Sequence, residues 1–281
     1  MRLEYLSGLS WPGDRSKPND DAFCHCDGLA AVFDGATSLN DPLLPADSDA
    51  AWIARKGAEG LMLHQAHGAR EALRLAAADA ERDFIAQRHR APVEQYETPL
   101  SSMMLVAPAA GGLEFFWFGD CAALIERPGE AVEVIGDAFA RRASEAGRVA
   151  HLAQSNGLAP ASGANRPEYL PALRAARNRM NRGEHWTFSP DARCAEHAAS
   201  KIVATPLETR VLLCSDGFLA LASDYNRYSP GALVGAARER GLRFLFEELR
   251  AVEDGDPEGR RFPRFKKSDD ATALLVMATK A

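Results

Sequence analysis

The 281-residue chain is poor in several features at once, and each shortage narrows what it can be. No run approaches the roughly 18 consecutive apolar residues of a membrane-spanning helix, so no membrane association is expected. The opening residues, MRLEYLSGLSWPGD, hold no apolar stretch of the secretory kind, and a cytoplasmic protein is expected. Positive charge is short: 33 Lys and Arg against 39 Asp and Glu leave −6, no field for gripping nucleic acid. Cysteine is scarce and odd in number. Cys24, Cys26, Cys121, Cys194 and Cys214 lie mostly inside apolar runs, which reads as reduced, buried thiols rather than a disulfide framework. There is no GxxxxGK[ST] phosphate loop, no GxSxG elbow and no HExxH, which removes P-loop, serine-hydrolase and zinc-protease readings.

What remains is an ordinary globular composition, 46% hydrophobic and 26% charged, long enough to bury one large core. A single domain spanning 1–281 is expected. Residues 3–10 and 22–33 read as strands with a turn at Gly28. A turn-rich loop follows Asp34, with Asp47, Ser48 or Asp49 available to cap a helix. Residues 51–87 read as two helices broken near His67-Gly68. From Ser101, SMMLVA, LEFFWF, CAALIE and AVEVI form a meander of four strands. The stretch 137–200 has no clear period beyond a short basic helix in PEYLPALRAARNRM, and reads as a flap or insertion. Strands ASKIVAT and RVLLC, a helical region at about 230–250, a charged loop and the strand TALLVMA complete the chain. Segregated strands and helices define an α+β class with antiparallel sheets.

Aspartates recur where the apolar strands stop. LAAVF ends in Asp34-Gly35, LEFFWF in Gly119-Asp120, and RVLLC in Ser215-Asp216-Gly217, while Asp20-Asp21 and Asp269-Asp270 precede strands. One Asp-Gly is a common turn; five such sites in one domain point to a shared task. Two carboxylates about 5 Å apart at an effective dielectric of 20 repel by roughly 3 kcal/mol, so a cluster needs cations or protons. All-oxygen donors suit magnesium or manganese rather than zinc, and two such ions can clamp a phosphoryl oxygen.

These residues in this order resemble the metal-dependent serine/threonine protein phosphatases of type 2C, particularly the compact bacterial enzymes. The likeness runs through Asn19-Asp20-Asp21, VFDG at 32–35, FGDC at 118–121, LLCSDG at 212–217 and SDDATALLV at 268–276. It implies a sandwich of two antiparallel sheets flanked by helices, with metals in a cleft at one edge. It implies that Asp34 bridges two ions and that the Gly35 carbonyl binds one of them. Asp216 and Asp269 would complete the second ion's ligands, with Asp20 and Asp21 contributing directly or through water. Asp120 would share a looser third ion with Asp216, and Asp270 would support from behind. It also implies phosphoserine or phosphothreonine proteins as substrates, hydrolysed by metal-activated water, and a monomer is expected. The chain departs from the family in three places. The acidic pair is Asp-Asp rather than Glu-Asp, the phosphate-binding Arg position is Ser16 with Arg15 beside it, and Ala36-Thr37-Ser38 replaces a Gly-rich continuation.

Rival signals are weaker. Cys121 and Arg127 match a Cys-x5-Arg spacing, but the intervening AALIE is a strand without glycine, not a phosphate cradle. Cys24 and Cys26 share a strand face with the wrong spacing for zinc. His64 and His67 read as a solvated helix face. Arg166, Arg174, Arg177, Arg179 and Arg182, and the run Arg260, Arg261, Arg264, Lys266 and Lys267, read as solvated surface or as docking for a phosphorylated protein. Two other functions remain open: a catalytically silent phosphoprotein-binding module, and a hydrolase of small phosphate esters.

Overall fold

The computed structural model describes residues 1–141, 170–264 and 266–280. Among the described residues ten strands form two five-stranded antiparallel sheets. They are β1 (Arg2–Trp11), β2 (Asp21–Cys26), β3 (Leu29–Gly35), β4 (Ser101–Ala109), β5 (Gly112–Phe118), β6 (Ala122–Glu126), β7 (Glu133–Ile135), β8 (Ala199–Ala204), β9 (Arg210–Cys214) and β10 (Ala271–Thr279). One sheet runs β1-β10-β9-β6-β7 and the other β2-β3-β4-β5-β8. The helices are α1 (Asp49–His64), α2 (Ala69–Gln87), α3 (Leu170–Arg177), α4 (Asp216–Ser223), α5 (Pro230–Arg240) and α6 (Leu242–Asp254). Among the described residues, none is long and apolar enough to cross a membrane.

The inner strands β3, β4, β6, β9 and β10 read as nearly unbroken apolar runs because both faces of the sheets are buried there. Side-chain alternation sorts them. Ala30 and Val32 of β3 face the other sheet and meet Leu213 of β9 and Leu274 of β10. Their neighbours Ala31 and Phe33 face the opposite way, into α1 and α2. On the far side, Leu212 of β9 and Leu275 of β10 pack against Phe218, Leu245 and Phe246 of α4 and α6. The result is the α-β-β-α layering expected from the resemblance, with the α+β class intact.

Five details differ from the sequence reading. The four strands from Ser101 are not one meander, because β4 and β5 lie in one sheet and β6 and β7 in the other. Asp21 and Asp34 lie inside β2 and β3 rather than beyond their ends. The helical region near 230–250 is two helices, broken at Gly241, whose φ of 81° only glycine adopts readily. Helix α4, directly after β9, was not anticipated. The stretch 137–200 is not all peripheral: Phe188 and Cys194 are fully buried, and Phe188 exchanges two backbone hydrogen bonds with Ser101. The basic helix expected there is α3, while Arg166 lies outside the described residues. The expected thiols are all free, four buried and Cys26 partly so.

Gly57 marks where α1 meets the sheet. A Cβ there would stand 2.4 Å from the Phe33 ring, which is itself buried and packed edge-on against Phe188. In an exposed helix Gly→Ala gains about 1 kcal/mol. Here overpacking wins, and Gly57→Ala is expected to lower unfolding free energy by about 1–3 kcal/mol, read by urea denaturation.

Candidate metal centre

Both sheets deliver carboxylates to the same place. In the β2-β3 pairing Asp21 stands directly opposite Asp34, a register that brings like charges face to face and is destabilising by itself. Asp120 sits in the turn that carries the chain from β5 in one sheet to β6 in the other. Gly119 makes that turn at φ 69°, where a Cβ would also collide with the Ser102 hydroxyl. Asp216 opens α4 immediately after β9, and Asp269 lies two residues before β10. Asp34, Asp120 and Asp216 each offer a carboxylate oxygen, and the three oxygens lie within 4.8 Å of one another.

The other acidic residues are arranged around this triad in different ways. Asp21 is 7% exposed, and neither of its carboxylate oxygens has a hydrogen-bond partner. Asp20 is held to one side, its Oδ1 accepting the Ser48 hydroxyl at 2.5 Å. Ser48 also accepts the Ala51 N–H as N-cap of α1, so the cap ties that helix to the acidic edge. Asp270 is engaged in backbone hydrogen bonds. Its two oxygens accept the Gly13 N–H at 2.7 Å and the Asp20 N–H at 2.6 Å, pinning both ends of the 13–20 loop. Arg15 lies exposed within that loop. Gly35 cannot carry a side chain, because a Cβ would stand 2.5 Å from the carbonyls of both Asp20 and Ala50.

Sequence reasoning missed the residues that hold this arrangement. Ser102 donates to Asp120 Oδ1 at 2.6 Å. Arg250 reaches from α6 to the Asp269 carbonyl at 2.8 Å. Arg177 and Arg174 of α3 donate to the carbonyls of Thr37 (2.7 Å) and Leu39 (2.6 Å), fixing the loop after Asp34 that lacks glycines. Burial lowers the Arg177 pKa to about 10. Two of the three arginines had been read as surface or docking charge, and their signal, a basic helix, says nothing about its target. Arg264, also read that way, is 11% exposed and bound to Asp256.

Burial drives the electrostatics. Asp34 is pushed well above the ordinary carboxylate range, first by desolvation and then by Asp216, Asp21, Asp120 and Asp269. Asp21 is raised likewise by burial and by Asp270; nearby Ser215 and Thr272 hydroxyls oppose the rise without meeting hydrogen-bond geometry. Asp20 is raised more mildly by burial, against the Ser48 hydrogen bond. At an effective dielectric of 20, each fully ionised pair in the triad costs about 3 kcal/mol, large beside a total stability of about 5–15 kcal/mol. Hard divalent cations fit this donor set: it is all oxygen, and Asp21 holds two buried, unsatisfied acceptors. Cysteine chemistry does not fit. Cys121 is wholly buried, its thiol pushed up by burial and by Asp34 and Asp120, and Arg127 is engaged by Glu133 and Glu130.

This fold is that of the bacterial serine/threonine phosphatases of the PPM, or type 2C, kind. The Mycobacterium tuberculosis serine/threonine phosphatase PstP/Ppp superposes with a TM-score of 0.59 at 14% identity, covering 100% of both chains. The PstP catalytic domain in complex with two manganese ions gives a TM-score of 0.55 at 15% identity, over 99% of each chain. The Mycobacterium smegmatis phosphatase MsPP, in complex with cacodylate, gives 0.55 at 15%, over 99% of this chain and 100% of that one. No protein-family profile matches the sequence, and no curated protein matches it either.

Two outcomes test the electrostatic account. Burial and the neighbouring carboxylates raise Asp21 and Asp34 in the fold above the value of 3.8 that they have in the unfolded chain. The stability they contribute is therefore complete below that value and is lost as pH rises through their folded values. In chelator, pH-dependent melting should show stability falling along this limb. Asp34→Asn should flatten the fall and also abolish the rise in melting temperature expected when manganese is added to the wild type.

Proposed function

We propose that this protein is a metal-dependent phosphatase that removes phosphate from phosphoserine or phosphothreonine in proteins, as a cytoplasmic monomer. The observation that carries the reading is the half-buried carboxylate cluster, Asp34, Asp120 and Asp216 within 4.8 Å beside the unsatisfied Asp21, on a fold shared with serine/threonine phosphatases.

Two magnesium or manganese ions, with a looser third, fit the residues present. Asp34 and the Gly35 carbonyl, with Asp20 and Asp21, would hold one; Asp34, Asp216 and Asp269 the second; Asp120 and Asp216 the third. When bound, these ions supply Lewis-acid charge that lowers the pKa of water and offsets the phosphate oxygens. The chain itself does the positioning. Asp21 and Asp34 lie in strands, Asp216 opens a helix, and Asp120 and Asp269 stand in the short links next to strands packed on the core, so the donors are held in place as charge develops, and phosphoryl transfer relies mainly on such placement. Arg15 is the phosphate-orienting residue in this reading. It is exposed in a loop whose ends are both fixed on Asp270, and its guanidinium can grip two phosphate oxygens in parallel.

Turnover of p-nitrophenyl phosphate and of a phosphothreonine peptide, with manganese and with chelator, tests the proposal. Wild type should be active only with metal, Asp34→Asn and Asp216→Asn should lose nearly all activity while staying folded, and Cys121→Ser should stay within a few-fold. Activity on the small ester alone would make the protein a small-molecule hydrolase. Metal binding without turnover of either substrate would make it a silent binding module.

Arg15→Lys keeps the charge but loses the fork. It is expected to raise KM for the peptide more than it lowers kcat, and unchanged kinetics in Arg15→Ala would assign the phosphate to another residue.

A further inference from the structure

One cation already enters the acidic cluster. Lys266 Nζ lies 2.6 Å from Asp269 Oδ1, and its side chain is only 34% exposed. The lysine is not a loose surface charge that happens to swing inward. The Asp256 carboxylate accepts the backbone N–H groups of Arg260, Arg261 and Phe262 and pairs with Arg264. Arg264 in turn donates to the Lys267 carbonyl at 2.8 Å. On the other side, Arg250 holds the Asp269 carbonyl. The segment that carries Lys266 is therefore fastened at both ends, and the ammonium is delivered to Asp269.

Resting on the metal-centre reading above, we infer that Lys266 is a tethered cation that competes with the divalent ion for Asp269. An ammonium at 2.6 Å and a divalent ion at about 2.0–2.6 Å on the same Asp269 Oδ1 repel each other across that oxygen. Filling the second ion's position must then displace the lysine or leave that ion with one oxygen of Asp269. With the ion absent, the ammonium offsets part of the carboxylate repulsion. The lysine thus stabilises the metal-free protein and weakens the site's grip on its second ion.

Calorimetric titration of manganese into the chelator-stripped protein tests this, with Lys266→Met, Lys266→Arg and wild type side by side. Lys266→Met is expected to bind the weaker manganese ion about tenfold more tightly, the scale of removing one nearby cation screened by partial exposure. In chelator it should melt several degrees lower. Lys266→Arg, which keeps the charge, should stay near wild type in both. A second reading comes from wild type alone: reductive methylation of Lys266, followed by mass spectrometry, should speed up when manganese is added. Equal manganese affinities in wild type and Lys266→Met, with unchanged lysine reactivity, would overturn the competition and leave the metal centre standing. Failure of the wild type to bind manganese at all would overturn both readings. If Lys266→Met were too unstable to titrate, the reactivity of the wild-type lysine would decide the matter.

Discussion

Carboxylate repulsion is the constraint on which the site end of this molecule depends. Asp21 and Asp34 are held opposite each other by β-sheet register, and Asp34, Asp120 and Asp216 converge from both sheets. Left to electrostatics, these groups would separate. What opposes them is the sandwich behind. Phe33, Ala271 and Cys214, next in line from the acidic positions, are fully buried, and the layer between the sheets runs through Val32, Leu213 and Leu274. A buried Leu, Val or Phe contributes roughly 1.5–3 kcal/mol, the same order as one carboxylate pair. The core therefore holds the cluster together only because many apolar residues act against a few charges.

Basic residues do not simply cancel that charge. Arg250 approaches Asp269 but takes its carbonyl, and gives its other nitrogen to Glu253. Arg174 and Arg177 reach the loop after Asp34 and also bind carbonyls. Arg264 spends its guanidinium on Asp256 and backbone oxygens. These arginines shape the loops around the cluster and leave the carboxylates charged or protonated. Such a distribution is costly for folding and useful for binding cations, because an acceptor already neutralised by a guanidinium makes a poor metal donor.

Much of this was legible before the structure. Strands bounded by Gly, Asp and Pro announced themselves, and each apolar run that ended in Asp pointed at the cluster, since burial leaves few other uses for that residue. Other parts were illegible for physical reasons. Helix α4 continues the apolar run of β9, so DGFLALAS has no contrast of period to separate helix from strand. Phe188 and Cys194 stand in a polar stretch, and only the long-range pairing of Phe188 with Ser101 and the packing of both residues against α1 and α2 show that they are core. The charge run from Arg260 to Lys267 looked uniform in sequence. In space Arg264 turns inward to Asp256 and Lys266 to Asp269, while Arg260 stays exposed with Glu258. Direction of a long side chain is set by its loop, and the loop is set by Asp256.

The same logic bears on the segment after Asp34. Ala36-Thr37-Ser38 lacks the backbone freedom of glycine, so its path has to be fixed from outside. Ala36 N–H donates to the Leu100 carbonyl, and Arg177, 140 positions later, holds the Thr37 carbonyl. Asp49 closes the far end by accepting the N–H groups of Leu43 and Leu44. A Gly-rich loop reaches its geometry by having few steric objections to it; this one reaches it by being held at Ala36, Thr37, Leu39 and Leu43-Leu44. The difference has a mechanical consequence. The position of the chain just beyond Asp34 depends on where α3 packs, so a displacement of α3 is transmitted to the acidic edge through two guanidinium–carbonyl contacts, at Thr37 and Leu39, rather than absorbed by a flexible loop.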